Sequence, residues 1–505
     1  MAPQPIDPAF LALPYRDLGA TALQRAQELG ATHAEFRFER VRYQRVRVHD
    51  GTLQGASESE DLGFAVRVIH GGSWGFASGV VLTPEEAVRV ADTAVAVARV
   101  AARMTTTPVE LAPEPVHADA TYVSAYDIDP FTVPVADKAA VLRDWTDRLR
   151  TGVVEHASAS LLAVHECKYY ADLAGTSTTQ QRVRMHPELE AMGSGAAGFD
   201  SMSSLAAPVG RGWEYVAGGP GAWDWDAEIA EVPELLAAKL AAPSVEAGSY
   251  DLVIDPTNLW LTIHESIGHA TELDRALGYE ANYAGTSFAT PDLLGTLRYG
   301  SEVMHVTGDR TVEHGLATIG YDDEGVATQS WDIVKDGVLV GYQLDRQMGL
   351  MHPDLNGGRS NGCAYADSPG HIPIQRMANV SLQPAADGPS TAELIGRVER
   401  GLYVVGDRSW SIDMQRFNFQ FTGQRFFRIE NGELKGQVRD VAYQATTTDF
   451  WGSMEAVGGP DTWVLGGAFN CGKAQPGQVA SVSHGCPSAL FRGVRILNTT
   501  QEAGR

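Results

Sequence analysis

Two imidazoles and a carboxylate fall within six residues, His264-Glu265-Ser266-Ile267-Gly268-His269, inside an otherwise oily run that includes Leu259, Trp260, Leu261 and Ile263. Burying such groups is costly unless they are paired or bound to a metal. A single buried histidine is more often a hydrogen-bonded core residue, but a second histidine on the same helix and a Glu beside the first favour metal binding. In the zinc-protease pattern the histidines stand at i and i+4, one turn apart on one face. Here they stand at i and i+5, which on a regular helix leaves them about 140° apart. Both reach one ion only if the helix widens locally, and such π-type turns occur mostly at functional sites. Gly268 is expected to give the backbone room to do so. A zinc site also needs a third protein ligand. Glu272, Asp274 and each of the four cysteines (Cys167, Cys363, Cys471, Cys486) are candidates.

The elements around this stretch follow from periodicity and punctuation. Residues 250–254 read as a short buried strand, and Asp255 caps a helix that begins at Pro256, where a missing N–H costs nothing. Upstream, residues 18–29 form an amphipathic helix with Asp17 as cap and Gly30 as stop. Residues 33–48 alternate apolar and polar up to an Asp50-Gly51 turn, and 62–69 with 74–81 make a further strand pair. Thr83 then opens a helix, with a capping box, that runs to about residue 103. Arg37, Arg40, Arg42, Arg45 and Arg47 read as the solvated face of a sheet rather than an anion site.

Proline-rich 107–135 reads as a linker, which would subdivide the N-terminal part, or as an extended crossing segment. A helix over 136–150 and strands over 161–164, 168–171 and 180–185 follow, turning through Gly175. The Trp-rich stretch 210–227 is a long loop read as partner-facing, followed by a helix over 232–240. The break at 242–248 divides the chain into 1–243 and 244–505. Asp336-Gly337 and Asn431-Gly432 each mark a two-residue hairpin, and residues 357–362 read as a mobile loop. The fold class is α+β: an N-terminal part with antiparallel sheets and long helices, and a strand-rich, curved or barrel-like C-terminal part carrying the metal helix.

With 505 residues the chain can build well-developed cores, and its net charge of −24 argues against a nucleic-acid surface. No basic n-region with an apolar run opens it, and no stretch reaches the roughly 20 apolar residues of a membrane span. Four cysteines without CxxC spacing fit a reducing cytoplasm. The expected location is cytoplasmic.

Several further matches follow the histidine motif in order: Glu272-x-Asp274, Asp322-Asp323-Glu324-Gly325, Gly341-Tyr342-x-x-Asp345, Gly358-Arg359, Arg376-Met377-x-Asn379 and Cys471-Gly472-Lys473. Before it stand Asp50-Gly51, Gly63-Phe64-Ala65-Val66-Arg67-Val68 and Gly75-Phe76-Ala77. In this order the chain resembles the TldD branch of the TldD/PmbA metalloprotease family, departing from it at 474–478. The resemblance implies a zinc-dependent peptidase that cuts unfolded or leader-bearing peptides. It implies Cys471 as the ligand that joins His264 and His269; Glu265, adjacent to a ligand, is then the expected general base. It also implies a heterodimer with a homologous PmbA/TldE-like subunit lacking the metal motif, a homodimer being the alternative. Glu272 and Asp274 then orient an imidazole or are solvated helix residues; Arg359 and Arg376 contact peptide or form surface ion pairs. Sheets beside the site would take an extended peptide as an added strand. The competing readings are a non-catalytic scaffold subunit and a metal-dependent amidase for small molecules.

Overall fold

In the computed structural model, residues 4–195, 198–473 and 477–502 are described; residues 474–476, part of the departure at 474–478, lie outside them. The N-terminal alternation builds one seven-stranded sheet. Its order is Ser73–Gly79, Thr52–His70, His33–His49, Val154–Asp172, Ser177–Gly195 and Ala120–Val123, with Gly198–Ser203 pairing alongside Ser177–Gly195. All neighbours are antiparallel except Ala120–Val123. Two strands are far longer than their apolar segments suggest. Residues 62–69 end a strand that begins at Thr52, and 161–164 with 168–171 belong to one strand, Val154–Asp172. Ladder pairing to His33–His49 carries the polar residues 52–61 along as strand.

Two core clusters back this sheet. Tyr15–Glu28 and Pro84–Ala101 pack on Phe36, Phe64 and Val66, while Val135–Leu149 and Trp225–Ala241 pack on Leu161 and Met185. The helix expected over 18–29 starts at Tyr15, so Asp17 lies in its first turn and caps nothing. Thr83 does cap its helix, but Glu86 turns to Arg89 instead of closing the box. The 210–227 stretch faces outward only in part, with residues 217–221 exposed. Trp213 and Trp225 are buried, and Trp225 stacks on Trp145 with centroids 4.4 Å apart.

Arg37 is also buried, its guanidinium donating to Ser368 O at 3.0 Å. It belongs to an ion-pair layer between the N-terminal sheet and the loops after residue 320, in which Arg67 reaches Glu324 (2.7 Å) and Lys168 reaches Asp323 (2.8 Å). Residues 357–362 are clamped rather than loose: Asn361 Oδ1 accepts Leu344 N–H at 2.8 Å and Ser360 N–H donates to Glu114 at 3.1 Å.

The C-terminal half is built on a closed five-stranded barrel. Around it run Arg400–Ile412, Gly248–Ile254, Ala489–Asn498, Val441–Thr446 and Asn418–Glu430, the last pairing back to the first. Both expected hairpins are present, with Asp336-Gly337 and Asn431-Gly432 at positive φ. A separate two-stranded hairpin, Val464–Lys473 with Gln478–Cys486, lies against the helix that leaves the barrel at Pro256. Among the described residues no helix is long and apolar enough to cross a membrane.

Candidate metal centre

Gly248–Ile254 delivers the chain to the helix Pro256–Ile263, whose cap is Asp255 Oδ1 accepting Thr257 N–H at 3.0 Å. Buried Asn258 ties that helix to the barrel. Its amide donates to Gly406 O and Thr422 O at 2.9 and 3.0 Å, and its carbonyl takes Tyr443 O–H at 2.8 Å. From His264 to Gly268 the helix opens into a π turn, and His269 N–H reaches back five residues to His264 O. The widened turn expected from the spacing is present. It brings the two imidazoles to one side, with ring centroids 4.7 Å apart.

Widening frees carbonyls that a regular helix would satisfy, and side chains take them, two from distant elements and one from the next turn. Tyr299 O–H donates to Ser266 O, Gln343 Nε2 to Gly268 O at 2.7 Å, and Thr271 Oγ1 to Ile267 O at 2.9 Å. Gly268 serves a different purpose from the one expected. Its φ and ψ, −52° and −59°, are ordinary helical values. A Cβ there would stand 2.6 Å from Met377 Sδ, so what the position requires is space.

Hydrogen bonds fix which nitrogen of each ring faces the site. His484 Nδ1 lies 2.7 Å from Val380 O, which can only accept, so that nitrogen carries the proton. Burial holds the His484 imidazole well below its usual range, hence neutral, and its Nε2 accepts from His264 Nδ1 at 2.7 Å. His269 Nδ1 faces Glu272 Oε2 at 2.9 Å. Both rings are thereby left with Nε2 as the free donor atom. Burial also lowers the pKa of His264 and of His269.

Cys471, 5 % exposed on the strand Val464–Lys473, places Sγ 3.5 Å from His269 Nε2. One donor atom from each of His264, His269 and Cys471 lies within 4.8 Å of the others. Burial alone would raise the Cys471 thiol, but His269 and Arg376 outweigh it and bring it below its usual value. Tetrahedral zinc with Zn–S near 2.3 Å and Zn–N near 2.05 Å sets sulfur and nitrogen about 3.6 Å apart. The donor set and this separation fit such an ion.

The other candidates separate cleanly. Glu272 orients His269; burial would raise its pKa, but Lys473, at 3.2 Å, and His269 hold it well below the carboxylate range. Asp274 does not touch an imidazole, and its Oδ1 takes Lys473 Nζ at 2.8 Å. Arg376 is buried and donates to Cys471 O at 2.6 Å, so it holds the cysteine strand and is no surface ion pair. Arg359 stands outside the cleft, paired with Glu114 at 3.1 Å. Cys486 points to Pro256 O, 3.6 Å away, and Cys167 and Cys363 are buried elsewhere.

Glu265 Oε2 accepts Arg416 Nη1–H at 2.6 Å. Arg416 has φ of 64°, a conformation that strains a non-glycine residue. Its loop is clasped from within by Asp413, whose Oδ1 takes Phe417 N–H at 2.8 Å. From outside, Thr286 N–H donates to Met414 O at 2.8 Å. His484 and Arg416 both escaped the sequence reading. Each lies more than 140 residues from the motif, with no spacing to mark it.

The three donors, Glu265 and Arg416 line a cleft of about 870 Å³ whose opposite wall includes Glu188 and Ser203 of the N-terminal sheet. Convergent imidazoles, a thiol and a carboxylate in an open cleft are the equipment of a metal-dependent hydrolase. A family model for the PmbA/TldA metallopeptidase C-terminal domain matches residues 247–498, and one for domain 1 of the same family matches 34–98. The chain belongs to the PmbA/TldD metallopeptidase family. A metalloprotease of Methanothermobacter thermautotrophicus is 26 % identical over 92 % of this chain and 96 % of its own. A Saccharolobus solfataricus protein named as a zinc metalloprotease TldD homolog is 22 % identical, covering 94 % and 98 %. The crystal structure of TldE from Thermococcus kodakarensis shares the fold, with a TM-score of 0.71 at 15 % identity over 95 % of this chain and 99 % of that one.

Proposed function

We propose that this chain is a zinc peptidase of the TldD branch, with His264, His269 and Cys471 as ligands and Glu265 as general base, acting on unfolded or leader-bearing peptides. The observation that carries the reading is the pair of Nδ1 hydrogen bonds, to His484 and to Glu272, which leave both Nε2 atoms facing the Cys471 side of one cleft. Held by His264, His269 and Cys471, a zinc ion would supply a bound water of lowered pKa and a Lewis acid for the scissile carbonyl.

Glu265 follows His264 directly and opens on the same cleft, within reach of a proton from water that it later returns to the leaving amine. Arg416 fixes which way that carboxylate points. Proton transfer to Glu265 would weaken the Arg416 pair, leaving a guanidinium in the cleft lining beside the reacting groups. The cleft is open enough for an extended chain, and the Val464–Lys473 strand on its wall offers backbone groups for strand addition. The likeness to a TldE structure supports pairing with a homologous subunit; a second copy is the alternative. The functional division falls at 243/244, with the catalytic set in 244–505 and the cleft's far wall in 1–243.

The test is Glu265→Gln. It should keep one zinc per chain and lose peptide cleavage by about 10²–10⁴-fold, the usual contribution of a positioned acid–base group. Cleavage at the wild-type rate would remove Glu265 from the mechanism.

A further inference from the structure

A second group of metal-ligating side chains shares no residue with the first. His49 ends the strand His33–His49, Asp50 begins the turn that follows, and His156 lies on Val154–Asp172, which pairs with His33–His49 through His49 and Ser158. Asp50 Oδ2 lies between two imidazole nitrogens, 2.7 Å from His156 Nδ1 and 3.5 Å from His49 Nε2. The rings stack at 5.7 Å with an 18° interplanar angle. One donor atom from each of the three lies within 4.8 Å of the others.

The scaffold holds these groups in place. Asp50 adopts φ of 47°, its N–H donates to Ala157 O at 2.9 Å, and its Oδ1 accepts Ala157 N–H at 2.8 Å. His49 Nδ1 is occupied by Ser158 Oγ at 3.0 Å, which directs Nε2 toward the carboxylate. Arg150 Nε stands 3.5 Å from Oδ1, the oxygen turned away from the imidazoles.

At 3.5 Å the His49 contact is too long for a good hydrogen bond. Two donors on one divalent ion with bonds of 2.0–2.2 Å stand about 2.9–3.5 Å apart, a span that includes it. The His156 contact, 2.7 Å, lies about 0.2 Å below that span, a difference that a small side-chain rotation would make up. We infer that His49, Asp50 and His156 form a second, surface site for a borderline divalent cation such as Zn²⁺, Ni²⁺ or Co²⁺. Two imidazoles select these over Mg²⁺ and Ca²⁺. Side-chain exposures of 43 %, 22 % and 56 % leave open coordination positions to water and give the ion free entry. Bound there, the ion would clamp the turn after His49 to the start of Val154–Asp172.

Calorimetric titration of the metal-stripped full chain with Ni²⁺ tests this. Wild type should take up one equivalent more than His49→Asn/His156→Asn, and Asp50→Asn, which keeps the left-handed conformation and its acceptor, should weaken that equivalent at least tenfold. The same equivalent should persist in Cys471→Ser, which separates this site from the proposed catalytic one. Both surface variants should retain wild-type peptide cleavage and, without metal, wild-type melting temperature. Equal stoichiometry in wild type and the double variant, or an extra equivalent unaffected by Asp50→Asn, would overturn the assignment.

Discussion

A histidine ligand is defined as much by the nitrogen that faces away from the metal as by the one that faces it. The proposed ligands His264 and His269 meet this differently, one with a neutral imidazole backed by a carbonyl, the other with a carboxylate neutralised by Lys473 and Arg275. Replacing such partners commonly costs 10–100-fold in metal affinity. His484→Phe, which keeps the ring and removes the acceptor, should therefore weaken zinc by that factor in a competition with a chelator. Undiminished affinity would mean that His484 does not set the His264 tautomer. At this scale the sequence was legible only where chemistry is dense. His264, Glu265 and His269 declare themselves within six residues, whereas Cys471 is one candidate among six that only the family resemblance singles out. His484 is one of fourteen histidines, and Arg416 sits in a turn whose signal is structural.

Among elements, the five-residue spacing foretold the π turn because two imidazoles cannot otherwise share a face. What it could not reveal is how the turn is sustained: the hydroxyl and amide groups that take its carbonyls come from residues 299 and 343. Strand lengths were hidden for a related reason. Polar residues such as 52–61 are strand because a partner pairs with them, and periodicity records burial only.

The cysteine strand is set by packing of the same kind. A Cβ on Gly466 would lie 2.6 Å from Trp260 Cγ, so Val464–Lys473 lies directly on the helix that bears His264. Gly466→Ala should push strand and helix apart, costing about 1–3 kcal/mol of stability and weakening zinc binding. Calorimetric melting and zinc titration would show both losses; an unchanged metal affinity would uncouple that contact from the site.

Over the whole molecule, the cleft exists because the N-terminal sheet and the barrel half are held face to face by buried ion pairs. Arg67 joins Glu35 and Glu324 while stacking 4.1 Å over Trp74. Of the arginines read as solvated, Arg45 and Arg47 are exposed, but Arg37 is buried, since alternation on one strand cannot reveal that the loop near residue 368 covers that end of its polar face. Arg67→Met would leave two buried carboxylates without their cation, a loss of about 3–5 kcal/mol. The urea midpoint should fall accordingly, and a midpoint within error of wild type would show that the layer contributes specificity without stability.

The central claim is that two ring nitrogens and one distant sulfur share an ion. X-ray absorption at the zinc edge of the chain loaded with one equivalent reads this directly. The account predicts one sulfur at about 2.3 Å with nitrogen neighbours at about 2.0–2.1 Å, and loss of the sulfur shell in Cys471→Ser. A wild-type spectrum fitted by nitrogen and oxygen alone would contradict it.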